Sequence, residues 1–281
     1  MLPDGRRLHL QHGPIDLIIE AFGPGSEVAL AYEQAWTCFQ PVLGRLVEEL
    51  ALLRRRIQAP KPRAQGPVAR RMVEAVWPHR AVFVTPMAAV AGAVADEVLA
   101  AMVASRELRK AYVNDGGDIA LHLREGERFV AGIVGDLQAP AIDGAATIEA
   151  ATAVRGLATS GQGGRSFSLG IADAVTVLAR DAAAADAAAT LVANAVNLDH
   201  RAIQRRPARE LDPDSDLGDL PVTVGVASLA PAEIEAALDA GAAEASRMRE
   251  AGLIEAAMLL LRGRHRVVGP VPLLGAKAER A

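Results

Sequence analysis

Apolar and polar residues alternate from Arg7 to Gln11 near the start of the chain, and Ile15 to Phe22 is a short, largely apolar run. Both read as strands, and His12-Gly13-Pro14 between them predicts the turn of a hairpin. From Ser26 to about Arg56 the apolar residues recur at helical spacing. Gly25-Ser26 is placed to cap the start, and Pro41 predicts a break or kink. Pro67 to Trp77 predicts a short helix, and Ala81 to Val84 a buried strand. Thr85-Pro86 then reads as a helix start. A threonine accepts from a first-turn amide, and proline at the first helical position loses a donor that has no partner there. The stretch to about Ser105 is small and apolar nearly all round, through Met87, Ala88, Ala89, Ala91, Gly92 and Ala93, so it is expected to be a buried helix.

Further along, Ala111 to Val113, Ile119 to Leu123 and Arg128 to Val134 read as strands, and Gly135 to Gly144 as a loop suited to be a lid. Thr147 to Thr159 predicts a strand ending at Ser160-Gly161, with a loop at Gln162 to Arg165. Ala174 to Ala179 predicts another strand. Asp181 is placed to cap an alanine-rich helix running to about Val196. Pro231 to Glu250 has amphipathic spacing, Ile254 to Leu261 and His265 to Val268 read as a closing hairpin joined at Gly263, and the tail after Gly269 is expected to be loosely held. The order of elements predicts an α+β fold, with a mixed or antiparallel sheet and helices packed on it. We expect one domain over residues 1–281, with a basic linker at about 57–67 and a flexible tail at about 270–281.

Composition narrows the partners. At 281 residues, 51% apolar and 23% charged, the chain has enough hydrophobic material for a core; its 3% aromatic share points to close packing on Ala, Val and Leu. A net charge of -4 and a pI near 5.9 give no global attraction for nucleic acid. The basic run through Arg54, Arg55, Arg56, Lys61, Arg63, Arg70 and Arg71 reads either as an anion-attracting patch or, preferably, as an exposed linker. Cys38 is the one cysteine, so no internal disulfide forms, which suits a reducing compartment; it is expected to act as a small buried hydrophobe. The N-terminus lacks the apolar core of a signal peptide, and no run is read as a membrane span, so a soluble, cytoplasmic protein without membrane contact is expected.

Three places carry candidate chemistry. In Asn114-Asp115-Gly116-Gly117-Asp118 the glycines allow close backbone approach to a phosphate or ring edge; a hairpin turn asks for the same glycines. The helix start at Thr85 offers amides without helical partners, either for an anion or for plain core packing. Asp186 and Thr190, four apart, lie on one helical face, where they could join a magnesium shell or simply face solvent. Asp212 to Asp219 departs from a calcium loop, with Leu217 at the sixth position and Thr223 at the twelfth, and reads as an acidic surface turn. The six histidines show no metal-helix spacing, and hydrolase-elbow, Walker and dinucleotide-binding motifs are not found.

These segments, in this order, resemble the ApbE superfamily, whose characterised members are magnesium-dependent flavin transferases that move FMN from FAD onto a protein Thr or Ser. The likeness covers roughly Val84 to Thr190 and is closest to an uncharacterised branch. The family's Asp-Leu-Gly-x-x-x-Lys-Gly-x-x-x-Asp segment corresponds to Thr85 through Asp96, its Gly-Gly-Asp loop to Gly116, Gly117 and Asp118, and its Ser-Gly to Ser160 and Gly161. Its Ala-Asp-x-x-x-Thr corresponds to Ala185, Asp186 and Thr190. The resemblance implies Mg2+ on Asp186, Thr190 and a backbone carbonyl around Ala88. It also implies FAD or a related nucleotide near Thr85, Ala88, Asn114, Gly116, Gly117, Asp118, Ser160 and Gly161. A small anionic ligand or nucleotide and a protein acceptor are the partners it implies. Two positions depart: Ala91 replaces the family lysine, and Gly170-Ile171-Ala172-Asp173-Ala174 replaces His-x-x-Asp-Pro. The expected function is therefore a transferase acting on a pyrophosphate linkage, a binding or accessory protein without the transfer chemistry, or an enzyme of unrelated reaction on the same scaffold.

Overall fold

A computed structural model describes residues 1–134, 142–164 and 166–270 of the chain. Most of the expected lid, Arg165 of the expected loop and nearly all of the expected tail lie outside the described residues. The chain divides into two compact units, one of Met1–Arg128, Glu149–Ala158 and Ala179–Ala187, the other of Phe129–Ile148, Thr159–Leu178 and Ala188–Ala281.

In the first unit, the strands Leu8–His12 and Ile15–Phe22 form the expected hairpin, with Leu10 opposite Leu17. Ile15–Phe22 runs antiparallel to Lys110–Asp115, which runs antiparallel to Asp118–Leu123; that strand meets Gly156 and Leu157. Lys110–Asp115 alternates half-buried and buried positions, as a strand with one covered face must. The cover is helical. In Gly25–Phe39 the residues Ala31, Ala35 and Phe39 are buried at four-residue spacing, and Pro67–Val76 buries Val68, Ala69, Met72, Val73, Ala75 and Val76. Val90–Val103 buries Gly92, Ala93, Val94, Ala95, Val98, Leu99 and Met102, half of its residues, and packs on both the Lys110 and Asp118 strands.

Expectation and structure differ at three places in this unit. The helical run from Ser26 is broken not once but twice, into Gly25–Phe39, Val42–Glu48 and Leu50–Leu53. Pro41 accounts for the first break because it supplies no amide to continue the ladder. Ala81 to Val84 is no strand. Val82 donates to the His79 carbonyl (3.1 Å) and Val84 accepts from Ile57 (2.8 Å), so those backbone groups pair with a turn and a loop. The helix expected from Pro86 is a short 3-10 turn, Pro86–Ala89, followed by the α-helix Val90–Val103; Ala89 sits between them at φ -133°. Pro86–Val103 has a mean hydropathy of 1.6 over 18 residues, enough by length and composition for a membrane span, which the pattern of apolar positions had not suggested.

In the second unit Ala174–Ala179, buried at every position, pairs antiparallel with Ala256–Leu261, which pairs with Arg264–Val268. The amphipathic helix Pro231–Glu250 covers these last two strands. Its Gly241 lies so near Val196 and Leu259 that an added Cβ would stand 2.3 Å and 2.7 Å from their side chains. Two separate two-stranded ladders complete the set, Ile203–Pro207 with Pro221–Val226 and Arg128–Val134 with Ile142–Glu149. The expected strand from Thr147 to Thr159 is thus two elements, the end of Ile142–Glu149 and the separate Gly156–Ser160, divided by a turn over residues 150–153. The architecture is α+β with antiparallel sheets, as expected.

Candidate functional site

The site is built where two helices meet at their beginnings, both within the first unit. An α-helix leaves its first amides without internal partners, and at a buried start something else must accept from them. Val90–Val103 begins without a side-chain cap of its own, and Thr85 does not supply one. The acceptor comes from the other helix: Asp186 Oδ2 takes the Gly92 amide at 3.1 Å. The service is returned. Asp96, on Val90–Val103, accepts the Ala182 amide at 3.0 Å and the Ala183 amide at 2.9 Å, while Asp181 takes Ala184 at 2.7 Å. Each helix therefore carries the carboxylate that closes the start of the other.

Such a pair needs close backbones, and glycine allows it. A Cβ on Gly92 would stand 2.3 Å from the Ala182 carbonyl oxygen, and one on Gly156 would stand 2.0 Å from the carbonyl of Asp181. The alanines of Ala182–Ala195 keep the approach short.

This geometry sets the charge. Burial pushes the Asp186 carboxyl well above the usual carboxylate range, and the charges of Asp118 and then Asp115 push the same way. The amides of Gly92 and Ala91 oppose them without prevailing. Asp186 keeps part of its residue surface open to solvent. Its Oδ2 is held on the Gly92 amide, and the burial around the paired helix starts is the largest cause of the shift. Asp96 is raised to about 6, first by burial and then by Asp181 nearby, against the pull of the Ala183 and Ala182 amides. The charges of Asp118 and Asp115 thus act on Asp186 within the first unit, and a cation beside it would offset them.

Gly116 and Gly117 sit in the tight turn joining Lys110–Asp115 to Asp118–Leu123, at φ 63° and 117°. Asn114 Oδ1 accepts the Gly117 amide at 2.8 Å, and Asp115 faces Asp118 across the ladder. These glycines meet the needs of a hairpin; the same turn delivers Asp118 into the field of Asp186. Thr85 is buried and, with Ala88, belongs to the turn before Val90–Val103, where the Ala88 amide donates to the Thr85 carbonyl at 3.1 Å. Thr190, four residues after Asp186 in the helix Ala182–Ala195, is half-buried and belongs to the second unit. Ser160 and Gly161 belong to the second unit, where a Cβ on Gly161 would meet the Asp173 carbonyl oxygen at 2.4 Å. Gly161 is there for backbone packing in its own unit.

Among the described residues, no group of three or more His, Cys, Asp or Glu is arranged to hold a metal ion. A donor set of one carboxylate, one hydroxyl and a carbonyl suits magnesium, which keeps several waters and takes phosphate oxygens, better than metals that require a full protein cage. In the second unit, a Cβ on Gly170 would lie 2.0 Å from the Ala193 carbonyl oxygen. Asn194 and Asn197 hold the same segment through the Leu169 amide (2.9 Å) and carbonyl (2.8 Å). At Gly170 the backbone lies directly on the helix and leaves no room for a side chain. Sequence reasoning placed Asp96 only as the last position of the Thr85–Asp96 segment, with no role of its own, and did not single out Gly156. The four-residue step from Gly92 to Asp96 was the available signal for the first, and Gly156 had none.

An α+β chain with paired, mutually capped helix starts and a carboxyl group shifted by burial is the class of molecule in view. The chain belongs to the family described as AbpE bacteria, whose model matches residues 1–267. Among curated relatives, a UPF0280 protein of Methanothrix thermoacetophila is 40% identical over 134 residues, 47% of this chain and 54% of its own. One from Methanopyrus kandleri is 39% identical over 124 residues, 43% of this chain and 48% of its own. The chain spans about half the length of the curated relatives it matches. Of solved structures, the flavinyl transferase ApbE of Pseudomonas stutzeri is similar at 14% identity and a TM-score of 0.47, covering 93% of each chain. The flavin transferase ApbE of Vibrio cholerae is similar at 13% and 0.46, covering 93% of this chain and 96% of its own. Overlaps of that quality decide nothing about activity.

Proposed function

We propose that the chain binds a magnesium complex of a flavin-type nucleotide, with Asp186 and Thr190 holding the ion. The observation that carries this reading is the half-buried Asp186 carboxylate, held on the Gly92 amide at the paired helix starts, with the charges of Asp118 and Asp115 acting on it. A hard dication is the partner that would most lower the cost of that arrangement, and it would supply the positive charge that a pyrophosphate needs. Thr85 and Ala88 would lie at the same helix start. Asn114 would hold the Gly116-Gly117 turn in shape, so that Asp118 keeps its place. Gly170 against Ala193 favours binding without group transfer, because no histidine fits there.

A second reading, transfer of FMN from FAD to a protein acceptor, is favoured by a family match that spans nearly the whole chain. In that case another residue does what the family histidine does. A cytoplasmic setting goes with either reading. The test is to mix purified protein with FAD and magnesium, measure binding by calorimetry and follow AMP or FMN release by chromatography. Binding without release supports the first reading. Release lost in Asp186→Ala but kept in the exposed Asp214→Ala supports the second, and absence of any magnesium-dependent binding refutes both.

A further inference from the structure

A cavity of about 190 Å³ lies within the first unit, among the helices Gly25–Phe39, Val42–Glu48, Pro67–Val76 and Val90–Val103. None of the residues assigned above lines it. Its walls include Val42, Leu46, Pro67 and Val68, with Cys38 and Arg45 also among the lining residues. Val42, Leu46 and Val68 are buried in the fold, so the walls are fixed by core packing.

The charges around it are not equally available. Glu97 is paired with Arg71 Nε at 2.9 Å. Glu49 accepts the Gly66 amide at 2.6 Å and the Gln65 amide at 2.8 Å, so both its oxygens are committed. Cys38 donates weakly to the Glu97 carbonyl oxygen, at 3.9 Å, and burial keeps the thiol protonated. The Arg45 guanidinium is exposed, and among the described residues it makes no hydrogen bond or ion pair. Apolar walls beside one uncommitted cation select an apolar molecule with one anionic end.

We propose that this cavity binds a short aliphatic carboxylate, with its head on Arg45 and its chain against Val42, Leu46, Pro67 and Val68. At about 30 Å³ for each water-sized group, the space suits roughly six heavy atoms, the size of butanoate or pentanoate.

Cys38 is the chain's one cysteine, so it reports on the cavity without other labelling. The rate of its modification by methyl methanethiosulfonate, a small neutral reagent, is followed by mass spectrometry with and without pentanoate. At pentanoate about four times its Kd, the expected result is a slowing of about fivefold by simple occupancy. Pentylamine should give no protection, and Arg45→Gln should lose it while keeping the wild-type thermal midpoint. The proposal is overturned if pentanoate gives no protection, if pentylamine protects equally, or if Arg45→Gln is protected like the wild type. Should Cys38 resist the reagent in the free protein, methyl NMR shifts of Val42, Leu46 and Val68 on pentanoate titration decide the matter. Saturable shifts that are absent in Arg45→Gln support the proposal, and unmoved methyls overturn it.

Discussion

Replacing Asp96 by asparagine tests the mutual capping where its energetics are sharpest. In the wild type the Asp96 carboxyl is raised from 3.8 to about 6, chiefly by burial and then by Asp181. The folded chain therefore binds a proton that the unfolded chain releases between these values. The stability this group contributes is fully present below the unfolded value and is lost as pH rises through about 6. At 1.36 kcal/mol per pH unit, a shift of about two units amounts to ~3 kcal/mol. Asparagine keeps a carbonyl oxygen for one of the two amides and has no charge to lose. Urea unfolding of wild type and Asp96→Asn, at about pH 4 and about pH 7, gives a difference of differences in which titrating groups away from Asp96 cancel. The expected outcome is a relative gain for the asparagine variant of ~3 kcal/mol from the lower pH to the higher. A gap that stays constant, or moves the other way, refutes the claim that Asp96 is an enclosed cap.

Other substitutions probe the same packing. Gly92→Ala and Gly156→Ala should each lower the unfolding free energy by about 1–3 kcal/mol or more, since the new Cβ meets backbone at 2.3 Å and 2.0 Å. Gly44→Ala, in a helix with nothing within 4 Å of the added carbon, should instead stabilise by about 0.5–1 kcal/mol. Thermal and urea denaturation separate these signs directly. Gly117→Ala, at φ 117°, should cost about 1–3 kcal/mol and shift the amide resonances of Lys110–Asp115 and Asp118–Leu123, because only glycine is at ease in that conformation. Gly170→His should destabilise by more than about 2 kcal/mol and restore no flavin transfer, because its Cβ would displace the backbone at Ala193.

Much of the fold was legible because its signals are local. Ala174–Ala179 and Pro231–Glu250 fall on the expected residues, since a run of buried β-formers and an amphipathic stretch with proline at its start carry their own boundaries. Asp181 caps the Ala182 helix as expected, because that bond spans three residues. What was not legible depends on residues far apart in sequence. Thr85-Pro86 has the form of a helix start, yet Val90–Val103 is capped by Asp186, 94 positions from Gly92. Ala81 to Val84 has the composition of a strand but no ladder partner, and composition says nothing about partners. That Gly170 stands where the resemblance expects a histidine was plain in the sequence, whereas the reason no side chain fits there is the approach of Ala193.

The most direct measurement of the central claim is calorimetric titration of FAD into the wild type and Thr190→Val, each with magnesium and with a chelator. Thr190 is half-buried and does not take part in the mutual caps, so its hydroxyl can be removed without opening the helix starts. The account expects wild-type binding that requires magnesium and weakens about tenfold or more in Thr190→Val, equivalent to ~1.4 kcal/mol. FAD affinity that is the same with and without magnesium, or untouched by the substitution, would contradict it.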